Sequence, residues 1–295
     1  MTNKEALVEE KYAEAGTSLW QDAWKRLLKN RMAVASGAFI LLTAALSLLS
    51  PLISPYEVDT VNYSAIGQGP SFAHFFGTDV LGRDLFSRCL FGLRISLAIG
   101  VTSTLVTFVI GVVWGAVSGY FGGKIDSLMM RIVDILYALP YMFFVIVLMT
   151  VFGRNILLLF AAIGAVSWLT MARIVRGQVM SIRKKEFIEA AVSCGVGHRA
   201  IIFRHLIPNA LGPIIVYVTL MVPRLILVEA FLSFLGLGVQ APLASLGSLT
   251  SDGAQGMELY PWLILFPGGI LAVLLFALNY LGDGLRDALD PKMKL

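Results

Sequence analysis

The chain has 295 residues, of which 57% are hydrophobic and only 14% are charged, and its mean hydropathy is +0.80. This composition excludes a soluble globular domain and predicts a polytopic membrane protein. The formal net charge of +4 needs no nucleic-acid partner, because basic loops are normal in membrane proteins. We therefore expect an all-α protein with one membrane domain over residues 32–295, preceded by a polar N-terminal region over residues 1–31.

The N-terminal region divides into two parts. Residues 1–16 are polar and of mixed charge, which is typical of a flexible tail. Ser18 is a favourable N-cap for a helix whose apolar and basic residues separate onto two faces. The apolar face comprises Leu19, Trp20, Ala23, Trp24, Leu27 and Leu28. This pattern predicts an amphipathic helix on the lipid of the inner leaflet, with a solvated helix on a partner protein as the alternative.

Six apolar runs are long enough to cross a bilayer as helices. They cover approximately residues 32–53, 95–120, 132–152, 156–172, 211–235 and 262–281. Residues 54–94 form a connection rich in glycine and proline between the first two spans. Pro140 and Pro223 predict kinks in the third and fifth spans.

The distribution of basic residues predicts the orientation. With the N-terminus inside, 18 of the 23 Lys and Arg residues fall in inner segments, and every inner segment contributes. The positive-inside rule therefore places both termini in the cytoplasm, together with the polar segment Glu186–Pro208. Cys89 and Cys194 then lie on opposite sides of the membrane, so they cannot form an intrachain disulfide.

The segment Glu186–Pro208 is polar at both ends, although it lies between two long apolar runs. Residues Glu186–Cys194 are predicted to form a short helix that Gly195 ends, and Ile201–Leu206 a second short piece before Pro208. The apolar side of the first helix would comprise Phe187, Ile188, Ala191 and Val192. Because a loop this short cannot bury that side itself, the pattern predicts a docking surface for another protein.

No GxxxxGK[ST] nucleotide loop and no HExxH, CxxC or GxSxG motif occurs in the sequence. We therefore expect no catalytic residue, metal site or bound cofactor. Before the second span, on the outer side, lie four alternating charges: Asp79, Arg83, Asp84 and Arg88. Although Asp79 and Asp84 could be metal ligands, we interpret the alternation as local ion pairs and caps.

Charges within the predicted spans are few. Arg224 and Glu229 lie in the fifth span, where charged residues are functional candidates by default. They are five residues apart and do not share a helix face, so we expect them to face a pathway or a neighbouring subunit. Asp134 lies three residues after Arg131, which predicts a local pair.

Several stretches resemble one family of transport proteins. Glu189-Ala-Ala, followed by Gly195 and Pro208, resembles the EAA loop of binding-protein-dependent ABC importer permeases. The loop here ends His205-Leu-Ile-Pro, where the usual family pattern ends Ile-x-Leu-Pro. The other stretches are 77–88, 119–131 and 279–291, and they resemble the C-type permease of peptide, opine and nickel importers. The resemblance covers nearly the whole chain after residue 17, and residues 171–178 are most similar to oligopeptide permeases.

This resemblance implies a type I ABC importer permease fold, in which the cytoplasmic loop forms a coupling helix that fits a cleft of an ATPase subunit. The loop residues implied in coupling are Glu186, Phe187, Ile188, Glu189, Ala190, Ala191, Gly195, His205 and Pro208. The implied partners are a B-type permease, two ABC ATPases that bind ATP and Mg²⁺, and an extracytoplasmic peptide-binding protein. The implied function is import of oligopeptides across a bacterial inner membrane by alternating access.

Dipeptide and nickel importers of the same family remain alternatives, because the shared stretches are not substrate contacts. A secondary transporter that works alone would predict inverted repeats and polar residues at the midplane, and the sequence shows neither. The outer connection, residues 54–94, is expected to contact the binding protein or to pack on the partner permease.

Overall fold

In the computed structural model, which describes residues 19–153 and 155–289, the protein is a bundle of long helices. The described residues contain no β-strand, and their one isolated bridge joins Thr78 to Asp84. Five helices are long and apolar enough to cross a membrane, and a bent pair makes a sixth span if its two helices are counted together. The all-α class predicted from the sequence is confirmed. The predicted tail with its Ser18 cap, Arg154 and residues 290–295 lie outside the described residues.

The helices follow one another with short connections, except after the first span and between Phe234 and Leu246. The N-terminal helices are α1 (Leu19–Lys29), α2 (Arg31–Leu48) and α3 (Ser50–Ile53). The central helices are α4 (Leu85–Phe121), α5 (Gly123–Ala138), α6 (Tyr141–Phe152), α7 (Ile156–Ile182) and α8 (Glu186–Ser193). The C-terminal helices are α9 (His198–Phe234), α10 (Leu246–Gly256) and α11 (Trp262–Leu289).

Helices α4 and α7 form the most extensive contact of the bundle. Three glycines of α4, spaced four residues apart, face α7: Gly111, Gly115 and Gly119. A Cβ atom on Gly111 would lie 2.6 Å from Met171 Cβ, and one on Gly119 would lie 2.9 Å from the Arg176 carbonyl oxygen. Small residues let the backbones of membrane helices approach closely. Helix α9 packs against both α4 and α7.

The predicted connection 54–94 is shorter than expected, because α4 already begins at Leu85. Asp84 caps this helix, since its Oδ2 accepts a hydrogen bond from the Ser87 amide at 2.8 Å. Charged residues such as Arg88 lower the hydropathy of the first turns, so the apolar run starts later than the helix. For the same reason α7, α9 and α11 extend beyond the predicted spans at their polar ends.

The predicted third span is two helices rather than one. Helices α5 and α6 meet at 81°, where the sequence predicts only a kink. Pro140 has no amide to donate to the Leu136 carbonyl, so the helix cannot continue through it. The Leu139 amide donates to that carbonyl instead, at 3.3 Å. The break leaves a concave space beside α7 and α9.

Helix α1 packs on the C-terminal part of α11. Ala23 and Leu27 are buried there against Leu285 and Ala288. Trp20 and Trp24, on the same predicted apolar face, are 50% and 60% exposed. Protein therefore covers only part of this face, and its contact with lipid stays a prediction.

The outer connection packs on its own chain. Trp262 Nε1 donates a hydrogen bond to the Thr78 carbonyl at 3.1 Å, and the ring of Phe76 stacks on that of Phe266 with centroids 4.1 Å apart. Leu85 is buried in the same apolar cluster. This chain therefore buries part of the segment itself, whereas Phe72, Phe75 and Val80 are 99%, 53% and 53% exposed. A contact of the segment with the binding protein or the partner permease stays a prediction.

Candidate functional site

The loop between α7 and α9 carries the short helix α8, which ends in a tight turn. The Gly195 amide donates to the Val192 carbonyl at 2.9 Å, and the Val196 amide donates to the Ala191 carbonyl at 3.1 Å. This pair of hydrogen bonds is a Schellman C-cap. It requires a left-handed backbone at Gly195, where φ is +74°. The short helix and the glycine that ends it are both where the sequence places them.

Ile188 points into the protein instead of toward a partner. Its side chain is 2% exposed and belongs to the core cluster that includes Val179, Ile182, Ile201 and Leu206. The prediction that Ile188 contacts a partner protein is therefore wrong. Because its neighbours belong to α7 and α9, Ile188 attaches α8 to the ends of both membrane helices.

The outward surface of the loop is partly apolar. Phe187, Val192 and Phe203 are 41%, 52% and 55% exposed. Of the other residues predicted for coupling, the exposed ones are Glu186, Glu189, Ala190, Gly195 and Pro208, and the half-buried ones are Ala191 and His205. Large apolar side chains exposed on a polar loop mark a protein interaction surface. We call this surface, around Phe187, Val192 and Phe203, the loop surface.

The predicted second piece of the loop is not separate from the next span. Ile201–Leu206 is a π-helical turn inside the continuous helix α9. Pro208 follows this turn and lacks the amide that would donate to the Arg204 carbonyl in an α-helix, so the wider turn avoids a clash there. The Asn209 side chain donates to the His205 carbonyl at 2.6 Å. The break expected before Pro208 is absent, and α9 leads from the loop directly into the membrane domain.

A polar cluster joins four helices next to the loop. Arg176 of α7 donates two hydrogen bonds of 2.6 Å to Asp126 of α5, from Nε to Oδ1 and from Nη2 to Oδ2. Ser118 of α4 also donates to Asp126 Oδ1. The Tyr120 hydroxyl lies 2.7 Å from Nδ1 of His198, the first residue of α9. Bidentate arginine–carboxylate pairs are both strong and geometrically specific, so Arg176 and Asp126 hold α5 and α7 in register. Ser118 and Tyr120 connect α4 to α5 and to α9.

The sequence does not predict these partners, because Asp126 and Arg176 are 50 residues apart. The only signal is that each lies at the inner end of a predicted span. Asp134 shows the same limitation. Its predicted partner is Arg131, but its Oδ1 accepts a hydrogen bond from Arg173 Nη2 at 2.8 Å. The predicted local pair is wrong because a side chain of α7 lies closer.

Arg224 lies on α9 beside the break between α5 and α6. It is exposed to a cavity of about 430 Å³. Leucine, methionine and valine side chains form most of the walls, and four other lining residues carry hydroxyl groups: Tyr137, Tyr141, Ser167 and Thr170. The structure therefore places one of the two intramembrane charges at a concave surface.

Glu229 is buried inside this chain, with an exposed fraction of 0%. Its Oε1 accepts hydrogen bonds from Ser233 at 2.8 Å and from Ser245 at 2.7 Å. Since Ser245 is the N-cap of α10, Glu229 joins α9 to the start of α10. The prediction that Glu229 lines a pathway or a subunit interface is wrong, and sequence spacing gives no indication of Ser245 as its partner.

The outer charges form a compact set of pairs. Arg83 Nε donates to Asp79 Oδ2 at 2.7 Å, and Arg88 Nη1 lies 3.7 Å from the same oxygen. Asp84 caps α4 through Oδ2, while its Oδ1 lies 2.9 Å from His74 Nδ1. The local pairing and capping expected of this alternation are present. Among the described residues, no group of His, Cys, Asp or Glu is arranged to hold a metal ion.

These features define a class of protein. The helices that can cross a membrane, the loop surface attached to two of them, and a sequence without a nucleotide loop are those of a transport permease. The chain matches "Binding-protein-dependent transport system inner membrane component" over residues 111–295, and "N-terminal TM domain of oligopeptide transport permease C" over residues 18–70. The chain belongs to the family of inner membrane components of binding-protein-dependent transport systems.

Individual relatives are similar along almost the whole chain. The chain is 54% identical over 285 residues to the oligopeptide transport system permease protein OppC of Escherichia coli K12. This alignment covers 96% of this chain and 94% of that protein. The chain is 52% identical over 279 residues to OppC of Haemophilus influenzae, covering 94% and 90%. Among solved structures, a chain of the inward-facing MetNI methionine ABC transporter matches with a TM-score of 0.57 and 18% identity, over 68% of this chain and 94% of that one. The expected ABC importer permease fold is thereby confirmed, and a permease of this family works with ATPases in an importer.

Proposed function

We propose that this chain is a translocation subunit of an ATP-driven importer of oligopeptides. The support for the substrate class is that both relatives above, at 54% and 52% identity, are oligopeptide permeases by name. The chain would form half of the pathway, with a B-type permease as the other half and an extracytoplasmic binding protein that delivers the peptide. It would lie in a bacterial inner membrane with both termini in the cytoplasm, because 18 of its 23 basic residues fall in the inner segments.

The observation that carries the coupling role is the attachment of the loop surface to two membrane helices. Phe187 and Glu189 face outward, while Ile188 between them is packed on α7 and α9. An ATPase subunit that contacts the outward residues would therefore move these helices together with α8. Closure of two ATPases on ATP would then switch the two permeases between inward-facing and outward-facing states as a rigid-body change.

The nucleotide chemistry belongs to the partners in this proposal. The chain has no Walker motif, so two partner ATPases would bind ATP and Mg²⁺ and hydrolyse the nucleotide. This chain would bind neither. Its role is to transmit a movement and to line the peptide's path.

The test uses the complete complex in proteoliposomes: this permease, its partner permease, two ATPases and the binding protein. Uptake of labelled trialanine is measured together with ATP hydrolysis. Replacing Glu189 by Lys reverses an exposed charge at the centre of the proposed ATPase contact. We expect uptake to fall to background while the chain still inserts in the membrane.

The matched control is Asp287→Lys, which makes the same charge change at an exposed position of α11 outside the loop. This variant should transport at the wild-type rate. A Glu189→Lys complex with normal uptake and normal coupled hydrolysis would show that α8 is not the ATPase contact. A wild-type complex that takes up only Ni²⁺ or dipeptides would show that the substrate class is wrong.

A further inference from the structure

The cavity beside Arg224 is lined by helices of the membrane domain. It has a volume of about 430 Å³ and lies at the break between α5 and α6, with α7 and α9 as its other walls. Non-helical backbone such as Leu139–Pro140 occurs at membrane depth only where it is buried in protein or lines a water-filled cavity. The cavity volume is within the range of typical pockets for small ligands.

The cavity carries one charge and no counter-charge. Arg224 is the only ionisable side chain among the lining residues apart from two tyrosines, and no Asp or Glu is among them. Within the part of the chain that the structure describes, Arg224 makes neither an ion pair nor a hydrogen bond. A guanidinium at the level of an apolar span is costly unless water or an anion accompanies it. The site therefore favours an anionic ligand group.

The remaining lining suits a ligand of variable shape. Met142 and Met221 have flexible, polarizable side chains that adapt to different partners. Tyr141 and Ser167 contribute hydroxyls that lie 3.5 Å from each other. One fixed cation beside adaptable apolar walls can bind a group common to many ligands without selecting among their other groups.

We propose that Arg224 binds a carboxylate of the peptide in transit, with the free C-terminus as its main source. This inference rests on the proposed function, since it identifies the group by which the permease holds an oligopeptide. The C-terminal carboxylate is present in every unmodified peptide whatever its sequence. A charge-assisted hydrogen bond from a guanidinium to a carboxylate is about twice as strong as one between neutral groups.

The test compares trialanine with trialanine amide, which lacks the C-terminal charge, in the complete reconstituted complex. In the Arg224→Gln complex we expect trialanine uptake to fall by about tenfold or more, as for the loss of a hydrogen bond to a charged group. Uptake of the amide should change by less than about threefold. Because both complexes use the same binding protein, its own preference between the two peptides cancels from this comparison.

Two further variants separate charge from shape. Arg224→Lys keeps the cation and should keep most of the preference for trialanine over the amide. Thr170→Val changes the cavity wall with no change of charge and should also keep that preference.

A third peptide, Ala-Glu-Ala amide, offers only a side-chain carboxylate. Sensitivity of its uptake to Arg224→Gln would show that side-chain carboxylates use the site as well as the C-terminus.

The results that overturn the inference are distinct from those that overturn the proposed function. Equal loss of both alanine peptides in Arg224→Gln, or loss of the partner permease from the purified complex, would assign Arg224 to a subunit contact. No loss of either peptide would show that Arg224 lies off the pathway. Failure of the wild-type complex to take up any peptide would overturn the proposed function, and the carboxylate site with it.

Discussion

Phe187 and Ile188 are adjacent in the sequence and similar in hydrophobicity, but the structure gives them opposite surroundings. Phe187 is 41% exposed on the loop surface, whereas Ile188 is 2% exposed inside the core. An amphipathic pattern identifies an apolar side of a helix, but it does not say which neighbours cover each residue. On α8 the chain itself covers part of that side and leaves the rest for a partner.

Asp126 is the residue whose loss should weaken the inner end of the bundle most directly. In Asp126→Asn the Arg176 guanidinium keeps its position but loses its anionic partner. We expect a loss of about 1.5–3 kcal/mol in the free energy of unfolding, the usual value of a hydrogen bond to a charged group. The measurement is denaturation of the purified complex, with a fluorescence signal from its tryptophans.

The matched control for this prediction is Asp134→Asn. Asp134 and Arg173 also form an ion pair, but their side chains are 58% and 41% exposed. An exposed pair contributes only about 0–1 kcal/mol, so this variant should unfold almost like the wild type. Equal destabilisation by the two variants would contradict the special role of the Asp126 cluster.

At the scale of elements, the decisive feature is the close approach of α4 and α7. Gly111, Gly115 and Gly119 repeat every four residues in the sequence, and this spacing is a known signal of helix contact in membranes. It could have been used to predict the pair. The angle between α5 and α6 could not, because Pro140 shows that a helix is disturbed but the surrounding helices determine by how much it bends.

Gly115→Ala should disrupt this helix pair. A Cβ atom at Gly115 would overlap the Ala172 carbonyl oxygen and crowd Val175 Cβ at 2.8 Å. Overpacking of this kind costs about 1–3 kcal/mol, so we expect less folded protein in the membrane and a lower unfolding temperature. The control is Gly177→Ala, on α7, where nothing lies within 4 Å of an added Cβ. An unchanged yield of folded Gly115→Ala would show that the two helices can separate without cost.

The turn after α8 offers a second pair of variants. Gly195 has a φ of +74°, so Gly195→Ala should cost about 1 kcal/mol in backbone strain. Gly197 has a φ of −65° and nothing within 4 Å of an added Cβ, so Gly197→Ala should be tolerated. Because the strain acts on the geometry of α8, we expect coupled ATP hydrolysis to fall only in Gly195→Ala. Equal rates of coupled ATP hydrolysis in the two variants would show that the geometry of this turn does not affect coupling.

At the scale of the whole molecule, the sequence predicts those features that depend on the composition of long segments. Long apolar runs indicate the spans, and a polar segment between two of them indicates the loop. Contacts such as Asp126–Arg176 and Glu229–Ser245 were beyond prediction, because each joins residues on separate elements. The start of α4 at Leu85 is not predictable for a local reason, since Arg88 and Arg94 lower the hydropathy of a segment that is nevertheless helical.

The predicted orientation of the molecule can be tested with its own cysteines. Cys194 is exposed on the loop, whereas Cys89 is buried. When the permease is produced without its ATPases, a membrane-impermeant maleimide should label Cys194 in inverted membrane vesicles and not in intact cells. Cys194→Ser should abolish the labelling.

A reporter on the opposite side completes that test. Phe72, in the outer connection, is 99% exposed. In a Cys194→Ser background, Phe72→Cys should be labelled from outside intact cells. Labelling of Cys194 from outside would reverse the proposed topology.

The packing of α1 on α11 has a consequence for biosynthesis. Ala23 emerges from the ribosome long before Ala288, although the two belong to one apolar cluster. During translation of everything between them, Ala33 of α2 is the one other buried member of that cluster already made. The boundary between lipid headgroups and acyl chains is then the apolar environment available to the rest of the α1 face. The contact between the first and last helices of the described chain can therefore form only after the intervening helices have been made, which makes it a late step in assembly.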